Sequence, residues 1–354
     1  MLHRLRHPGT STLVAAVAGL LLAGAAMSAA AEPSVHAATD TLDVAALNDA
    51  STAARGVLDA VRWEPGPFEV MVQRDEPRAG DADARVSFAS PRSDDGRPAD
   101  EVPLLWYVAR GGDGAPLDAP APAVLVVHTI HPQLLVGKTI ARNMARQGVH
   151  AFVVQLPGFG ERAGGEPGVL TLLKRAGQAA AEVRRARDAV AALPGVAPGA
   201  IALQATSLGG FVATVAAALD EGFNPVLLVL TGANGFDALQ NGQADAAVAR
   251  AVLARHGYAD DTLRELVDRV EPVHVAHRLA PKQTWLFTAR QDQVIPAASA
   301  EALARAIDLH VSHHVQVDGD HYSAALLLPG IVRQMVEQVH DAHRPRDPVE
   351  RLEQ

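Results

Sequence analysis

Between residues 68 and 110, the chain consists of short segments rich in apolar and β-branched residues. Clusters of Gly, Pro and Asp separate these segments, which is the pattern of β-strands joined by turns. Connections this short favour antiparallel pairing, because a parallel crossover needs a dozen or more residues. We therefore predict antiparallel strands with the sequences FEVMVQR (68–74), ARVSFAS (84–90) and VPLLWYVAR (102–110).

After residue 122, uninterrupted apolar runs replace this pattern. Such runs are typical of strands that are buried on both faces. They are AVLVVHT (123–129), HAFVVQLPG (150–158), AIALQAT (200–206), PVLLVLTGA (225–233) and QTWLFTA (283–289), with a last strand at 313–317. Helical patterns alternate with the strands at about 136–147, 171–193, 297–307 and 323–342. The predicted fold class is α/β, with a mostly parallel central sheet, an antiparallel N-terminal edge and helices on both faces.

Two helical regions have expected orientations. In the long helix at 171–193, Arg and Glu are expected to face solvent. A mostly helical insert at about 235–280, the lid, is expected to lie above the carboxyl ends of the strands. Its apolar side chains could line a pocket, but we expect most of them to pack down: Leu239, Val248, Val252, Leu253, Leu263, Leu266 and Val267.

The first residues have the layout of a secretory signal peptide. Arg4 and Arg6 lie in a short basic head, the apolar run LVAAVAGLLLAGAAM (13–27) follows, and SAAAEP then offers small residues for cleavage. The run is shorter than the roughly 20 apolar residues that a membrane anchor, the alternative, would need. We predict a signal peptide over 1–31, export to the periplasm or the medium, and no stable membrane insertion after cleavage.

The rest of the chain divides into a leader with one or two helices (32–67, with 32–41 flexible), one large domain (68–342) and a charged tail (343–354). There is no Cys, which excludes disulfides and thiol catalysis. The net charge is −9, and loss of Arg4 and Arg6 with the signal would make it −11. Because this acidic chain has no basic stripe, we expect no nucleic-acid partner. The sequence leaves the oligomeric state open.

The stretch LQATSLGGF (203–211) contains a candidate nucleophile. Ser207 lies between a predicted strand and a predicted helix, on a turn that needs small residues two positions either side, and Ala205 and Gly209 meet that need. The backbone N–H of Leu208, at the helix start, is placed to bind a developing oxyanion.

Two further residues complete a possible triad. Asp292 and His321 each follow a predicted parallel strand, so the chain order is Ser, Asp, His. In open parallel sheets, ligands bind at the carboxyl ends of the strands. A histidine can take the serine's proton near neutral pH, and a carboxylate can orient the imidazole. Asp237, which also follows a strand, is the alternative acid.

The segment VVHTIHP (126–132) ends the first buried strand. The backbone N–H of Thr129 or Ile130 could supply a second oxyanion donor. His128 and His131 could suggest a metal site, but no third ligand accompanies them. The glycines of GFGERAGG (158–165) lack the spacing of a dinucleotide-binding loop. We therefore expect neither a metal nor a cofactor.

With these motifs, the sequence from about residue 84 to 340 resembles the α/β-hydrolase superfamily. VVHTIHP, VVQLPGFGERAGG, ATSLGGF, TARQDQVIP and GDHYS carry the resemblance. Ser-x-Gly-Gly-Phe is similar to the nucleophile turn of dienelactone-hydrolase-like esterases, polysaccharide esterases and prolyl-oligopeptidase-like peptidases. The resemblance implies Ser207 as nucleophile, His321 as base and Asp292 as its partner. Ala205 replaces the usual leading Gly, and Thr129 stands where His-Gly is common.

The sequence thus predicts an exported serine hydrolase that cleaves small-molecule or polymer-linked carboxylic esters through an acyl-enzyme. A serine peptidase of the prolyl-oligopeptidase type is one alternative. A non-catalytic binding protein that keeps the fold is another.

Overall fold

A computed structural model describes residues 32–74, 82–93, 100–131 and 133–344. The predicted signal peptide and its cleavage site, and all but the first two residues of the predicted tail, lie outside these residues and stay predictions. The strands are β1 (Ser34–Thr39), β2 (Pro67–Gln73), β3 (Ala84–Ala89), β4 (Glu101–Tyr107), β5 (Ala121–Val127), β6 (His150–Val154), β7 (Val196–Thr206), β8 (Phe223–Val229), β9 (Thr284–Ala289) and β10 (His314–Val317). The α-helices are α1 (Thr52–Val61), α2 (Leu135–Ala145), α3 (Gly168–Lys174), α4 (Ala176–Ala191), α5 (Leu208–Ala217), α6 (Gly235–Asn241), α7 (Asp245–Arg255), α8 (Asp260–Asp268), α9 (Ala297–Ile307) and α10 (Leu328–His343).

All ten strands form one mixed sheet, in the order β1-β2-β3-β4-β6-β5-β7-β8-β9-β10. The first four strands pair antiparallel, and β4 pairs antiparallel with β6. From β6 to β10, all neighbouring strands are parallel. This confirms the predicted parallel sheet with an antiparallel N-terminal edge. The uninterrupted apolar run in β6 is explained as well, because every residue of that strand is buried.

Helices cover the sheet in two groups. One contains α2 and α10, which pack on each other and on the central strands, and the other contains α1, α4 and α5. Helices α6, α7 and α8 lie between β8 and β9, where the helical insert is predicted.

The N-terminal segment differs from the prediction, because residues 34–39 form β1 instead of a flexible leader. Its mostly polar and alanine side chains give little strand pattern. The strand forms because its backbone pairs with β2, from Ser34 opposite Val72 to Thr39 opposite Pro67.

The predicted long helix at 171–193 is two helices, separated at Arg175, which has φ −115° and ψ 28°. One guanidinium nitrogen of Arg175 lies 2.7 Å from Asp100 Oδ2. The two residues are 75 positions apart in the sequence, so no local pattern predicts this contact. The final helix begins at Leu328, five residues later than predicted, after a 3₁₀ turn at Ser323–Leu326. Pro329 lies in its first turn, where backbone N–H groups have no acceptor within the helix, so the N–H that proline lacks is not needed.

The expectation that the charged residues of α4 face solvent is wrong. Glu182, Arg184 and Asp188 are at most 3 % exposed. Arg162 donates to Glu182 at 2.6 Å, and Arg184 donates to Asp188 at 2.9 Å. Each charge therefore has a buried partner. The N-terminal segment covers this face of the helix, which sequence periodicity alone cannot reveal.

Asp40 joins the N-terminal segment to α4. Its buried carboxylate accepts hydrogen bonds from Trp63 Nε1 (3.1 Å), Gly66 N–H (3.1 Å) and Arg185 Nε (2.9 Å). Removing one partner of a buried ion pair leaves an uncompensated charge in a medium that solvates it poorly. The Asp40–Arg185 pair should therefore be important for keeping β1 and α1 in place.

We predict that Asp40→Asn lowers the free energy of unfolding by about 3–5 kcal/mol, because the buried Arg185 then lacks its counter-charge. Urea denaturation followed by circular dichroism measures this. The matched control is Asp59→Asn, since Asp59 is an exposed carboxylate 3.5 Å from Arg62. That change should stay within about 0.5 kcal/mol. Equal stabilities for the two variants would contradict the role given to Asp40.

Candidate active site

Ser207 occupies a strained turn between β7 and α5. Its backbone has φ 53° and ψ −125°, a conformation that residues other than glycine rarely adopt. Two hydrogen bonds hold the turn: Ser207 N–H donates to the carbonyl of Val229 at 2.9 Å, and the Ser207 carbonyl accepts from Gly210 N–H at 2.8 Å. The strain is thus fixed by a neighbouring strand and by the start of the helix.

Close packing explains the small residues around this turn. Ala205 is completely buried. A Cβ atom on Gly209 would lie 2.3 Å from the carbonyl oxygen of His128, and one on Gly210 would lie 2.4 Å from Thr231 Oγ1. The requirement for glycine at 209 can be predicted from the turn, whereas the requirement at 210 comes from a contact with Thr231, which follows β8.

His321 and Asp292 form a hydrogen-bonded pair. His321 Nδ1 lies 2.7 Å from Asp292 Oδ2, and both side chains are nearly buried. The other carboxylate oxygen, Oδ1, accepts from the N–H groups of Val294 (2.8 Å) and Ile295 (2.9 Å). These bonds fix the carboxylate. An Nδ1–H that donates to it leaves His321 Nε2 free to accept a proton.

The structure thus joins His321 to Asp292 and not to the alternative, Asp237, which is exposed on α6. Ser207, Asp292 and His321 follow β7, β9 and β10, whose carboxyl ends lie at one edge of the parallel part of the sheet. Ser207 Oγ itself makes no hydrogen bond to any residue that the structure describes.

The three predicted oxyanion donors lie near this turn. Leu208 is the first residue of α5, and Thr129 and Ile130 follow β5. Within the described chain, the N–H groups of these three residues bind no acceptor. Leu208 and Ile130 line the same pocket as Ser207, whereas Thr129 does not.

The pocket above Ser207 lies between the lid and helices α3 and α5, and its space, including the open mouth, is about 880 Å³. Apart from Ser207 and Asp245, its lining residues are apolar. Of the predicted lid residues, Leu239 and Val267 line it, Leu253 and Leu263 pack into a buried cluster with Leu170, and Val248 is exposed. The lid residues therefore both line a pocket and pack together.

No protein-family model and no curated protein matches the sequence. Among solved structures, an acetyl xylan esterase from Paenibacillus sp. R4 is similar, with a TM-score of 0.53 and 17 % identity over 76 % of this chain and 87 % of that one. The alpha/beta hydrolase GrgF from Penicillium sp. sh18 has a TM-score of 0.53 and 15 % identity over 73 % of this chain and 98 % of that one. The protein has the α/β-hydrolase fold.

The same fold relates the chain to the acylaminoacyl peptidase of Pyrococcus horikoshii, with a TM-score of 0.51 and 12 % identity. That alignment covers 80 % of this chain but only 50 % of the peptidase, so the chain spans half the length of that protein. These likenesses establish the fold alone. In the described part of this α/β-hydrolase-fold chain, no helix is long and apolar enough to cross a membrane.

His128 has a structural role that the sequence did not indicate. It is 1 % exposed, its Nε2 accepts from Leu156 N–H at 3.3 Å, and its Nδ1 lies 2.5 Å from the carbonyl oxygen of Thr129. Both ring nitrogens are thus engaged within the protein, which leaves neither for a metal. Across the described residues, no group of three or more His, Cys, Asp or Glu side chains could hold a metal ion.

Burial lowers the pKa of His128 to about 4, from an ordinary value of 6.5, against the opposing effect of its bond to Thr129. Between about pH 4 and pH 6.5, the ring is therefore neutral in the native protein and protonated in the unfolded chain. Its contribution to stability is complete above pH 6.5 and is lost as the pH falls from 6.5 towards 4.

We predict that the free energy of unfolding of wild-type protein decreases by about 2 kcal/mol on account of His128 when the pH is lowered from 7.5 to 5. The variant His128→Asn, which keeps a donor for the Thr129 carbonyl, should lose that part of the slope. Urea denaturation at several pH values measures it. His310→Asn is the control, because His310 is exposed and solvated in both states. An unchanged slope in His128→Asn would contradict a neutral native ring.

Proposed function

We propose that the protein is a serine hydrolase that cleaves carboxylic esters, with Ser207 as the nucleophile. The strained backbone of Ser207, at φ 53° between a central strand and a helix, carries this proposal. The apolar pocket above Ser207 and the fixed His321–Asp292 pair at the same edge of the sheet support the proposal.

In this mechanism, Ser207 Oγ attacks the ester carbonyl carbon while His321 Nε2 takes the hydroxyl proton. The oxygen of the tetrahedral intermediate accepts from the N–H groups of Leu208 and Ile130, with Thr129 as the alternative donor. His321 then gives its proton to the departing alkoxide, which leaves an acyl ester on Ser207. Water, deprotonated by His321, releases the acid and restores the serine. Asp292 stabilises the imidazolium in both halves.

Two observations favour esters over peptides. The pocket is apolar, so a substrate with an apolar acyl or alcohol group would gain from its burial. Residues 34–107 add β1–β4 to the main sheet, so in the described part they build no separate domain to restrict access. A serine peptidase and a non-catalytic binding protein remain the alternatives.

We predict that Ser207→Ala lowers kcat for p-nitrophenyl butanoate by about 10⁴-fold or more, because no other group replaces the attacking oxygen. The control is Ser312→Ala. The Ser312 hydroxyl also lies beside a histidine, 2.7 Å from His310 Nδ1, but on the exposed surface, so its loss should leave kcat unchanged.

If folded wild-type protein hydrolysed no ester but cleaved an amide, the peptidase alternative would replace this proposal. If it cleaved neither, the binding-protein alternative would.

The two carboxylates can be separated in the same assay. Asp292→Asn should lower kcat by about 10⁴-fold, because an amide there cannot stabilise the imidazolium and allows the wrong tautomer. Asp237→Asn should retain wild-type kcat. The reverse result would show that Asp237 is the acid, with a different arrangement of the lid in solution.

A further inference from the structure

Asp245 is an unexpected residue in the pocket. Apart from Ser207, it contributes the one polar side chain among the residues that line this space. It is the first residue of α7 and is exposed at the pocket mouth. No described Lys, Arg or His forms an ion pair with it. Its negative charge is therefore available to a ligand in an otherwise apolar pocket.

The neighbour of Asp245 is Tyr322, which directly follows His321 in sequence. The Tyr322 hydroxyl lies close enough to Asp245 for the carboxylate's charge to act on it. Burial, and then the charge of Asp245, raise the pKa of Tyr322, so the phenol stays neutral beside the carboxylate. Tyr322 is 53 % exposed, and the centroid of its ring lies 5.7 Å from that of the His321 ring, edge to face. A carboxylate and an accessible aromatic ring thus lie together next to the proposed base.

The turn that carries Asp245 is anchored to the loop of Asp292. Gln243 N–H donates to the carbonyl of Gln293 at 2.7 Å. A Cβ atom on Gly242 would lie 2.5 Å from the Val294 carbonyl oxygen, so the two backbones touch. These contacts hold Asp245 at a defined place relative to the His321–Asp292 pair.

We propose that Asp245, together with the ring of Tyr322, binds a cationic group of the substrate, so that the enzyme prefers esters that combine an apolar body with an ammonium group. A carboxylate attracts an ammonium, and an aromatic face adds a cation–π contact. The net charge of −9 would also draw a cationic ester towards the protein. This inference rests on the proposed function and specifies its substrate class.

The test compares esters that differ in charge but not in shape. For the acyl side, the pair is p-nitrophenyl 4-(trimethylammonio)butanoate and p-nitrophenyl 5,5-dimethylhexanoate. For the alcohol side, it is the acetates of 2-(trimethylammonio)ethanol and of 3,3-dimethylbutanol. Each kcat/KM is divided by the hydroxide-catalysed rate of the same ester, which removes differences in intrinsic reactivity.

With wild-type protein, we expect the cationic ester of at least one pair to be preferred by about three- to tenfold, the range for a partly exposed ion pair with an aromatic contact. Asp245→Asn should abolish the preference, and added salt should weaken it in wild type. The control is Asp261→Asn, another acidic residue in the first turn of a lid helix, but outside the pocket lining. It should keep the preference.

Hydrolysis of both pairs without preference would overturn the inference and leave the proposed function intact. A preference that persists in Asp245→Asn would overturn it too, because another group would then bind the cation. If wild-type protein hydrolyses none of the four esters, the proposed function fails and this inference fails with it.

Discussion

The site depends on one backbone constraint, the positive φ of Ser207 between β7 and α5. A strand that turns so sharply into a helix brings the helix start against the end of β5, and only glycine at 209 leaves room for the His128 carbonyl there. The same approach brings Ile130 and Leu208 to the pocket that contains Ser207. The turn thus brings together, in the lining of one pocket, Ser207 and two residues whose N–H groups are free in the described chain. Strain of this kind, about 1–3 kcal/mol per residue, persists where the surrounding structure fixes it.

The residues around the turn are packed and hydrogen-bonded. Every residue of β6 is buried, and His128 is held between the Leu156 N–H and the Thr129 carbonyl. At the N-terminal edge of the sheet, the buried Asp40–Arg185 ion pair joins the N-terminal segment to α4. The turn itself is held by the hydrogen bonds of Ser207 with Val229 and Gly210. A turn that the protein's own contacts hold is formed before any substrate binds, as stabilisation of a developing oxyanion requires.

The mixed sheet could be predicted from the sequence, because parallel strands buried on both faces give continuous apolar runs and the N-terminal strands are joined by connections too short for parallel crossovers. The order of the strands in the sheet was not predicted. Ser207 and its small neighbours at 205 and 209 could be predicted too, because a sharp strand-to-helix turn needs small residues at fixed positions nearby in the sequence. The choice between Asp292 and Asp237 could not, since both follow a strand and only the hydrogen bond to His321 distinguishes them. The buried charges of α4 were misassigned because the partner Asp40 is 145 residues away from Arg185. Asp245 could not be identified from the sequence, because it differs from other surface carboxylates only by lining an otherwise apolar pocket that is built from several distant elements.

The central claim is that Ser207 is an activated nucleophile, and peptide mapping tests it most directly. The folded protein, starting at residue 32, would be treated with a fluorophosphonate, digested, and analysed by tandem mass spectrometry. The account predicts a single stoichiometric adduct on the peptide that contains Ser207, with loss of labelling when the protein is unfolded first. An unlabelled Ser207 in folded protein, or an adduct on a different serine, would contradict it.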